Sequence, residues 1–90
     1  MSEREFSEIE DPGVRHVFLV EADAVGDTLA RVLGPFIVAD ASVLRLDYQA
    51  DGTDAAVRIE VADLTQARAQ LIQRRLEGLP AVRRVGRGWR

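Results

Sequence analysis

The run Val17 to Val20 constrains the fold of this chain more than any other stretch. Its four apolar residues point alternately to the two faces of a strand, so both faces of that strand need cover. The predicted first strand covers residues 14–22. In a chain of 90 residues with helices on one face of its sheet, we expect a second subunit to cover the other face. Cover by a tail or a loop is the alternative.

A first helix is predicted after this strand. Its candidate N-caps are Asp23, Gly26 and Asp27, whose short or absent side chains suit a helix start. Its apolar stripe consists of Leu29, Val32, Leu33 and Phe36. Because proline lacks an amide donor and disfavours helical geometry in the preceding residue, Gly34-Pro35 predicts that the helix ends near Leu33 or kinks there.

Two alternating segments, 42–49 and 55–62, predict a hairpin around the loop 51–54. A two-residue turn at Asp51-Gly52 would place Arg45 opposite Arg58, whereas a four-residue loop places opposite charges together. Opposed charges contribute about 0.2–1 kcal/mol per pair, so the four-residue loop is favoured. The pairs predicted by this register are Arg45 with Glu60 and Asp47 with Arg58.

A second helix is predicted to begin at Asp63, with Gln66 completing a variant of the capping box. Gly78 and the proline after it end the helix. A last short strand, 81–85, follows, and residues 86–90 are predicted to form a basic C-terminal tail. The residues expected on the inner side of the helix are Leu64, Ala67, Leu71, Ile72 and Leu76.

The predicted order is strand, helix, strand, strand, helix, strand. Two interleaved strand–helix–strand units with right-handed crossovers give an α+β, ferredoxin-like βαββαβ sandwich. Its four-stranded antiparallel sheet carries both helices on one face. The predicted domain covers residues 14–85, after an acidic flexible tail, 1–13. Phe6 and Ile9 are the sizeable apolar residues of that tail and could dock on the domain, although a mobile tail is the favoured interpretation.

The composition excludes several kinds of site. The chain has no cysteine and no lysine, and His16 is its one histidine, so thiolate, Schiff-base and histidine-rich metal chemistry are not expected. His16 is expected to be an exposed residue at the strand start, and capping accounts for Thr28. With no nucleophile placed beside a base, we expect a non-enzymatic chain with no catalytic residue, cofactor or metal.

Charge and hydropathy bear on partners and location. The net charge is −3 and the sequence pI is about 5.1, which argues against a nucleic-acid partner. Tyr48 falls on the helix-facing side of the hairpin, so it is not available for base stacking on the open face. No apolar run is long enough to span a membrane, and the acidic N-terminus has no secretory h-region. We expect a cytoplasmic protein with no membrane partner.

Residues 29–46 read LARVLGPFIVADASVLRL. This segment resembles the helix-to-strand segment of ACT domains, in which sequences similar to LARVTGLFARRGINIxSL are common. The resemblance covers roughly residues 14–85 and is closest to the small regulatory subunits of acetolactate synthase. The positions that fit the pattern are Leu29, Ala30, Arg31, Val32, Phe36, Val43 and Leu46.

The resemblance implies a regulatory domain that binds a small effector, often an amino acid, between paired domains. It implies a homodimer, and a larger catalytic subunit such as that of acetolactate synthase as a partner. The ligand would meet backbone amides where the first strand enters the first helix, with Gly26 allowing close approach. Val25 stands where the family has proline, Asp40 where it has glycine and Ser42 where it has asparagine. The implied ligand-binding residues are Asp23, Gly26, Asp27, Thr28, Asp40 and Ser42.

The alternative hypothesis is a ligand-free dimerisation or protein-interaction module in which Gly26 is only part of a turn. The two hypotheses differ in whether the corner before the first helix takes a ligand.

Overall fold

This computed structural model describes residues 14–89, which form four strands and two helices. In chain order they are β1 (Val14–Asp23), α1 (Thr28–Val38), β2 (Ser42–Asp51), β3 (Asp54–Leu64), α2 (Gln66–Glu77) and β4 (Val82–Trp89). All neighbouring strands are antiparallel, in the order β2-β3-β1-β4. Side chains of both helices pack on the same face of this sheet. The α+β, ferredoxin-like βαββαβ prediction is confirmed.

The core lies between the sheet and the two helices. Phe18 of β1 and Phe36 of α1 meet edge to face, with ring centroids 5.0 Å apart. Such an aromatic pair contributes about 0.5–1.5 kcal/mol beyond its buried area. The buried core residues are Phe18, Val20, Ala22, Val32, Phe36, Val57, Ile59, Val61, Leu64, Ala69, Ile72 and Leu76.

The hairpin of β2 and β3 has the predicted register. Arg45 lies opposite Glu60, and Asp47 lies opposite Arg58. The ion pairs nevertheless form along each strand, from Arg45 Nε to Asp47 Oδ2 at 3.1 Å and from Arg58 Nη2 to Glu60 Oε2 at 3.2 Å. Gly52 has φ 62°, in the left-handed region that favours glycine.

Helix α1 does not end near Leu33 but continues through Pro35 to Val38. Pro35 removes the one hydrogen bond that its amide would give to the carbonyl of Arg31. Burial of Phe36 in the core holds the next turn in place. Tertiary packing therefore overrides the local signal of Gly34-Pro35.

The start of helix α2 also differs from the prediction. The N-cap is Thr65, whose Oγ1 accepts a hydrogen bond from the amide of Arg68 at 3.3 Å. Asp63 instead lies in β3, at a bulge where the pairing with β1 shifts, and has φ 53°. The inner side of the helix differs as well, since Ala69 is buried and the predicted inner residue Leu71 is 40% exposed. Ala67 is exposed as well.

His16 is buried, not exposed as predicted. It lies on the same face of β1 as Phe18, because alternate residues of a strand share a face. Its Nε2 is 2.9 Å from the carbonyl oxygen of Leu64, and donates to it. The histidine therefore fastens β1 to the end of β3.

Strand β4 extends to Trp89, beyond the predicted end at Val85. Gly86 lies opposite Leu19, and Gly88 lies opposite Val17. Residues 86–89 are therefore part of the sheet and not of the predicted basic tail, and the lack of a side chain at the two glycines leaves the open face of β1 uncovered. Leu19 is 50% exposed there.

Two further predictions concern the N-terminal tail and the membrane. The acidic tail, 1–13, lies outside the described residues. Neither described helix is both long and apolar enough to cross a membrane.

Candidate ligand-binding corner before the first helix

Thr28 closes the turn between β1 and α1. Its side chain is buried, and its Oγ1 donates to the carbonyl of Asp23 at 2.6 Å while accepting from the amide of Val25 at 3.0 Å. Its own amide donates to the carbonyl of Val25 at 3.1 Å. The hydroxyl therefore stabilises the backbone of the corner from its buried side and does not face solvent.

Two further hydrogen bonds fix the corner to neighbouring loops. The amide of Asp23 donates to the carbonyl of Ala81 at 2.8 Å, and the amide of Ala24 donates to that of Thr53 at 2.8 Å. The corner is thereby tied to the loop before β4 and to the β2–β3 turn. Two neighbouring loops at one end of the sheet thus position it.

The first turn of α1 presents unsatisfied amides. Asp27 is the N-cap, and its carbonyl accepts the first helical hydrogen bond from Arg31 at 3.0 Å, but its side chain caps nothing. Within residues 14–89, the amides of Gly26, Leu29 and Ala30 have no acceptor. Amides at a helix N-terminus carry partial positive charge and favour an anionic group.

Both carboxylates of the corner are paired with arginines. Asp27 Oδ2 accepts from Arg31 Nε at 2.5 Å, and this hydrogen bond holds the pKa of Asp27 below its usual value. Asp23 Oδ1 lies 3.3 Å from Arg83 Nε. Each carboxylate of the corner therefore has a guanidinium beside it.

Arg83 connects the corner to the hairpin turn. Its Nη2 donates to Asp54 Oδ1 at 2.7 Å and to the carbonyl of Ala22 at 2.8 Å. The hydrogen bond to Asp54, with the charge of Asp23 as a smaller cause, raises the pKa of the guanidinium. Arg83 thus holds two carboxylates of neighbouring loops at once.

Gly26 is not required by the backbone. Its φ lies outside the left-handed region, and an added Cβ would have no heavy atom within 4 Å. The position faces open space directly beside the unsatisfied amides. A side chain here would therefore occupy the volume that a bound group would need.

Asp40 and Ser42 lie at the other end of α1. Asp40 has φ 54°. Its amide donates to the carbonyl of Ile37 at 3.0 Å, and the amide of Ala41 donates to the carbonyl of Phe36 at 3.0 Å. These two hydrogen bonds form a Schellman-type C-cap, and aspartate adopts the left-handed conformation that this cap requires more readily than most residues do. The 11 residues of α1 span about 16 Å.

The structure therefore brings four of the six predicted site residues together. Ser42, which is exposed at the start of β2, and Asp40 are separated from the corner by the length of the helix. The four that share the corner are Asp23, Gly26, Asp27 and Thr28.

Sequence reasoning missed the two arginines that pair with the carboxylates of the corner. Arg31 follows Asp27 by four residues on a helix, a spacing that by itself predicts an ion pair. Arg83 is distant from Asp23 in sequence and meets it only through the strand order. No cluster of three or more metal-ligating side chains occurs in the described part of the chain.

Three solved structures share this architecture. The crystal structure of the ACT domain from GTP pyrophosphokinase of Chlorobium tepidum has a TM-score of 0.76 at 9% identity, covering 84% of this chain and 99% of that one. The solution structure of the same domain has a TM-score of 0.75 at 9% identity, covering 87% and 89%. The solution structure of the C-terminal domain of the MgtC protein from Mycobacterium tuberculosis has a TM-score of 0.70 at 13% identity, covering 90% and 92%.

No protein-family model matches the sequence, and no curated protein matches it either. At identities of 9% and 13%, the likeness is one of three-dimensional structure. Residues 14–89 therefore adopt the fold that ACT domains adopt.

Proposed function

We propose that this chain is a regulatory domain that binds a small amino-acid effector at the corner between β1 and α1. One observation carries the proposal: amides of the first turn have no acceptor next to Gly26, where an added Cβ would meet open space, and each carboxylate of the corner has an arginine beside it. A ligand carboxylate would accept hydrogen bonds from these amides without strong repulsion from Asp23 or Asp27.

The proposed site is shared between two copies. Asp40 and Ser42 cannot join the corner of their own chain, because α1 separates them from it. In a homodimer, the α1–β2 connection of one copy can lie beside the corner of the other and supply these polar groups. The half-exposed Leu19 on the open sheet face supports pairing of this kind, since a second copy would cover it.

The partner that we propose for this dimer is a larger catalytic subunit of an amino-acid biosynthetic enzyme, such as acetolactate synthase. The support is the similarity of residues 29–46 to regulatory ACT domains and the fold of the chain. Binding of the effector would stabilise the dimer and change how it contacts the enzyme.

The test is thermal or chemical unfolding of the purified chain with each of the twenty amino acids. A true effector at about 100 times its dissociation constant adds about 2.7 kcal/mol to the free energy of unfolding. We expect Gly26→Ala to abolish this response, because the new methyl group fills the ligand's place.

Gly34→Ala is the matched control. Gly34 also has no heavy atom within 4 Å of an added Cβ, but it lies near the other end of α1. It should keep the full ligand response. If no amino acid stabilises the wild-type chain, or if both alanine variants respond equally, the proposed site is wrong.

A ligand-free interaction module is the second candidate, and the open sheet face favours it. A shallow concavity of about 540 Å³ on this face is bordered by Leu19, Arg45 and Arg58. A partner protein could cover this face whether or not the corner binds anything. Retained binding of a catalytic subunit by Gly26→Ala, with no amino-acid response in the wild type, would support this candidate.

A further inference from the structure

Helix α2 carries three arginines without an acidic partner among the described residues: Arg68, Arg74 and Arg75. Arg68 donates to the main-chain carbonyl of Ala39, which follows α1. The side chain of Arg75 has no hydrogen-bond partner in this part of the chain. These charges are therefore available to a negatively charged group.

Two of these arginines border an apolar groove between the helices. The groove has a volume of about 250 Å³, and Arg68 and Arg75 lie on its α2 side. Val38, at the end of α1, is 73% exposed, and Leu71, on α2, is 40% exposed. The residues that line the groove are Pro35, Val38, Ala39, Arg68, Leu71, Ile72 and Arg75. Its walls fit apolar side chains flanked by carboxylates.

The chain contains one segment of that chemistry. Residues 14–89 hold ten arginines and ten carboxylates, so this part is neutral. Residues 1–13 hold five carboxylates and a single arginine, and their sizeable apolar residues are Phe6 and Ile9. The excess negative charge of the molecule is therefore next in sequence to β1 and complementary to the groove.

This segment enters the domain at the end where the groove lies. Val14 pairs with Leu64, two residues before α2 begins at Gln66. Arg68, in the first turn of α2, reaches Ala39 after the end of α1. Thirteen extended residues can span up to about 45 Å, whereas the distance along α2 from Arg68 to Arg75 is about 10 Å. The segment is long enough to turn at Pro12-Gly13 and reach the groove.

We propose that residues 1–13 dock in the groove between α1 and α2 of their own chain. Phe6 and Ile9 occupy the apolar floor beside Val38 and Leu71, and acidic residues of the segment pair with Arg75 and Arg68. The docked segment shields the exposed apolar end of α1 from other molecules.

The test uses a nitroxide label on a single cysteine in the full chain. Ser7→Cys gives a unique site, because the chain has no native cysteine. Paramagnetic broadening of amide NMR signals should be strong at Val38, Leu71 and Arg75, and weak at Leu19 on the open sheet face. A label at Ser2→Cys repeats the measurement away from the apolar anchors.

Charge reversal on α2 provides the matched pair of variants. Arg75→Glu should abolish the broadening at Val38 and Leu71, whereas Arg74→Glu should retain it. Both arginines are exposed in the last turn of α2, so the two changes affect the helix dipole alike, but only Arg75 borders the groove. Phe6→Ala combined with Ile9→Ala should also remove the broadening.

Four outcomes would overturn the proposal. Uniformly weak broadening would show that the segment does not dock, and broadening centred on Leu19 would place it on the sheet. A mixed sample combines nitroxide-labelled chains of natural isotope abundance with ¹⁵N-enriched chains that carry no nitroxide. Broadening that is seen only in this mixed sample would show that the segment docks on a second copy. Equal loss in Arg74→Glu and Arg75→Glu would remove the groove as the site.

Discussion

At the residue scale, the corner before α1 is built from local pairs that sequence spacing only partly reveals. The contact of Asp27 with Arg31 follows from a spacing of four on a helix, so it could be predicted. The contact of Asp23 with Arg83 could not, because it depends on the loop before β4 reaching the end of β1. The electrostatics of the corner therefore required the fold.

Removal of Arg31 tests the first of these pairs. We expect Arg31→Ala to raise the pKa of Asp27 towards its usual value, because the hydrogen bond that lowers it is lost. In the native chain, this contact stabilises the fold above the usual aspartate pKa, and the contribution is lost as the pH falls through the lowered value. Carboxyl NMR titration measures the change. Arg45→Ala, on the open sheet face, should leave the titration of Asp27 unaltered, and an unaltered titration in Arg31→Ala would contradict the assignment.

Asp63 is a residue whose backbone conformation decides its tolerance to substitution. Its φ of 53° is unfavourable for a β-branched side chain and easy for glycine. We expect Asp63→Val to lower the free energy of unfolding by about 1–2 kcal/mol relative to Asp63→Gly. Urea denaturation of the two variants gives this difference. Equal stabilities would mean that the bulge at this position does not hold the left-handed conformation in solution.

At the element scale, periodicity predicted the kind and order of every strand and helix, while tertiary contacts set several boundaries. The hairpin register could be predicted because only one of the two alignments that keep the apolar face intact places opposite charges across from each other. The ends of α1 and β4 were not readable, since Pro35 and Gly86 are local breakers that neighbouring elements hold in place. The inner side of α2 also differs from the prediction, since Ala69 and not Leu71 packs in the core.

The cap of α2 can be tested directly. Thr65→Ala should lower the free energy of unfolding by about 1 kcal/mol, because the amide of Arg68 loses its acceptor. Thr53→Ala, an exposed threonine in the β2–β3 turn, should change it by less than about 0.5 kcal/mol. Denaturant unfolding monitored by circular dichroism compares them. A larger loss in Thr53→Ala than in Thr65→Ala would be inconsistent with this cap.

At the scale of the whole molecule, a small sheet with one covered face leaves apolar surface on the other. Phe18 and Val20 face the helices, whereas Leu19 lies between Gly86 and Arg58 on the open face. The run Val17 to Val20 predicted this two-sided strand, but not that glycines would lie beside Leu19. Glycines there make the surface lower and flatter, which suits a packed interface more than a solvated one.

If this face is the surface that a second copy covers, a charge on it should separate the dimer without unfolding the protomer. We expect Leu19→Glu to shift the chain to monomer, because burying a charged side chain at an interface costs far more than the lost apolar contact. Sedimentation across a concentration series measures the state, and circular dichroism checks the fold. Ile37→Glu is the control, since Ile37 is 73% exposed on the helix side of the molecule. A wild-type chain that stays monomeric at every concentration, or a Leu19→Glu variant that still dimerises, would remove the open sheet face as the interface and with it the shared effector site.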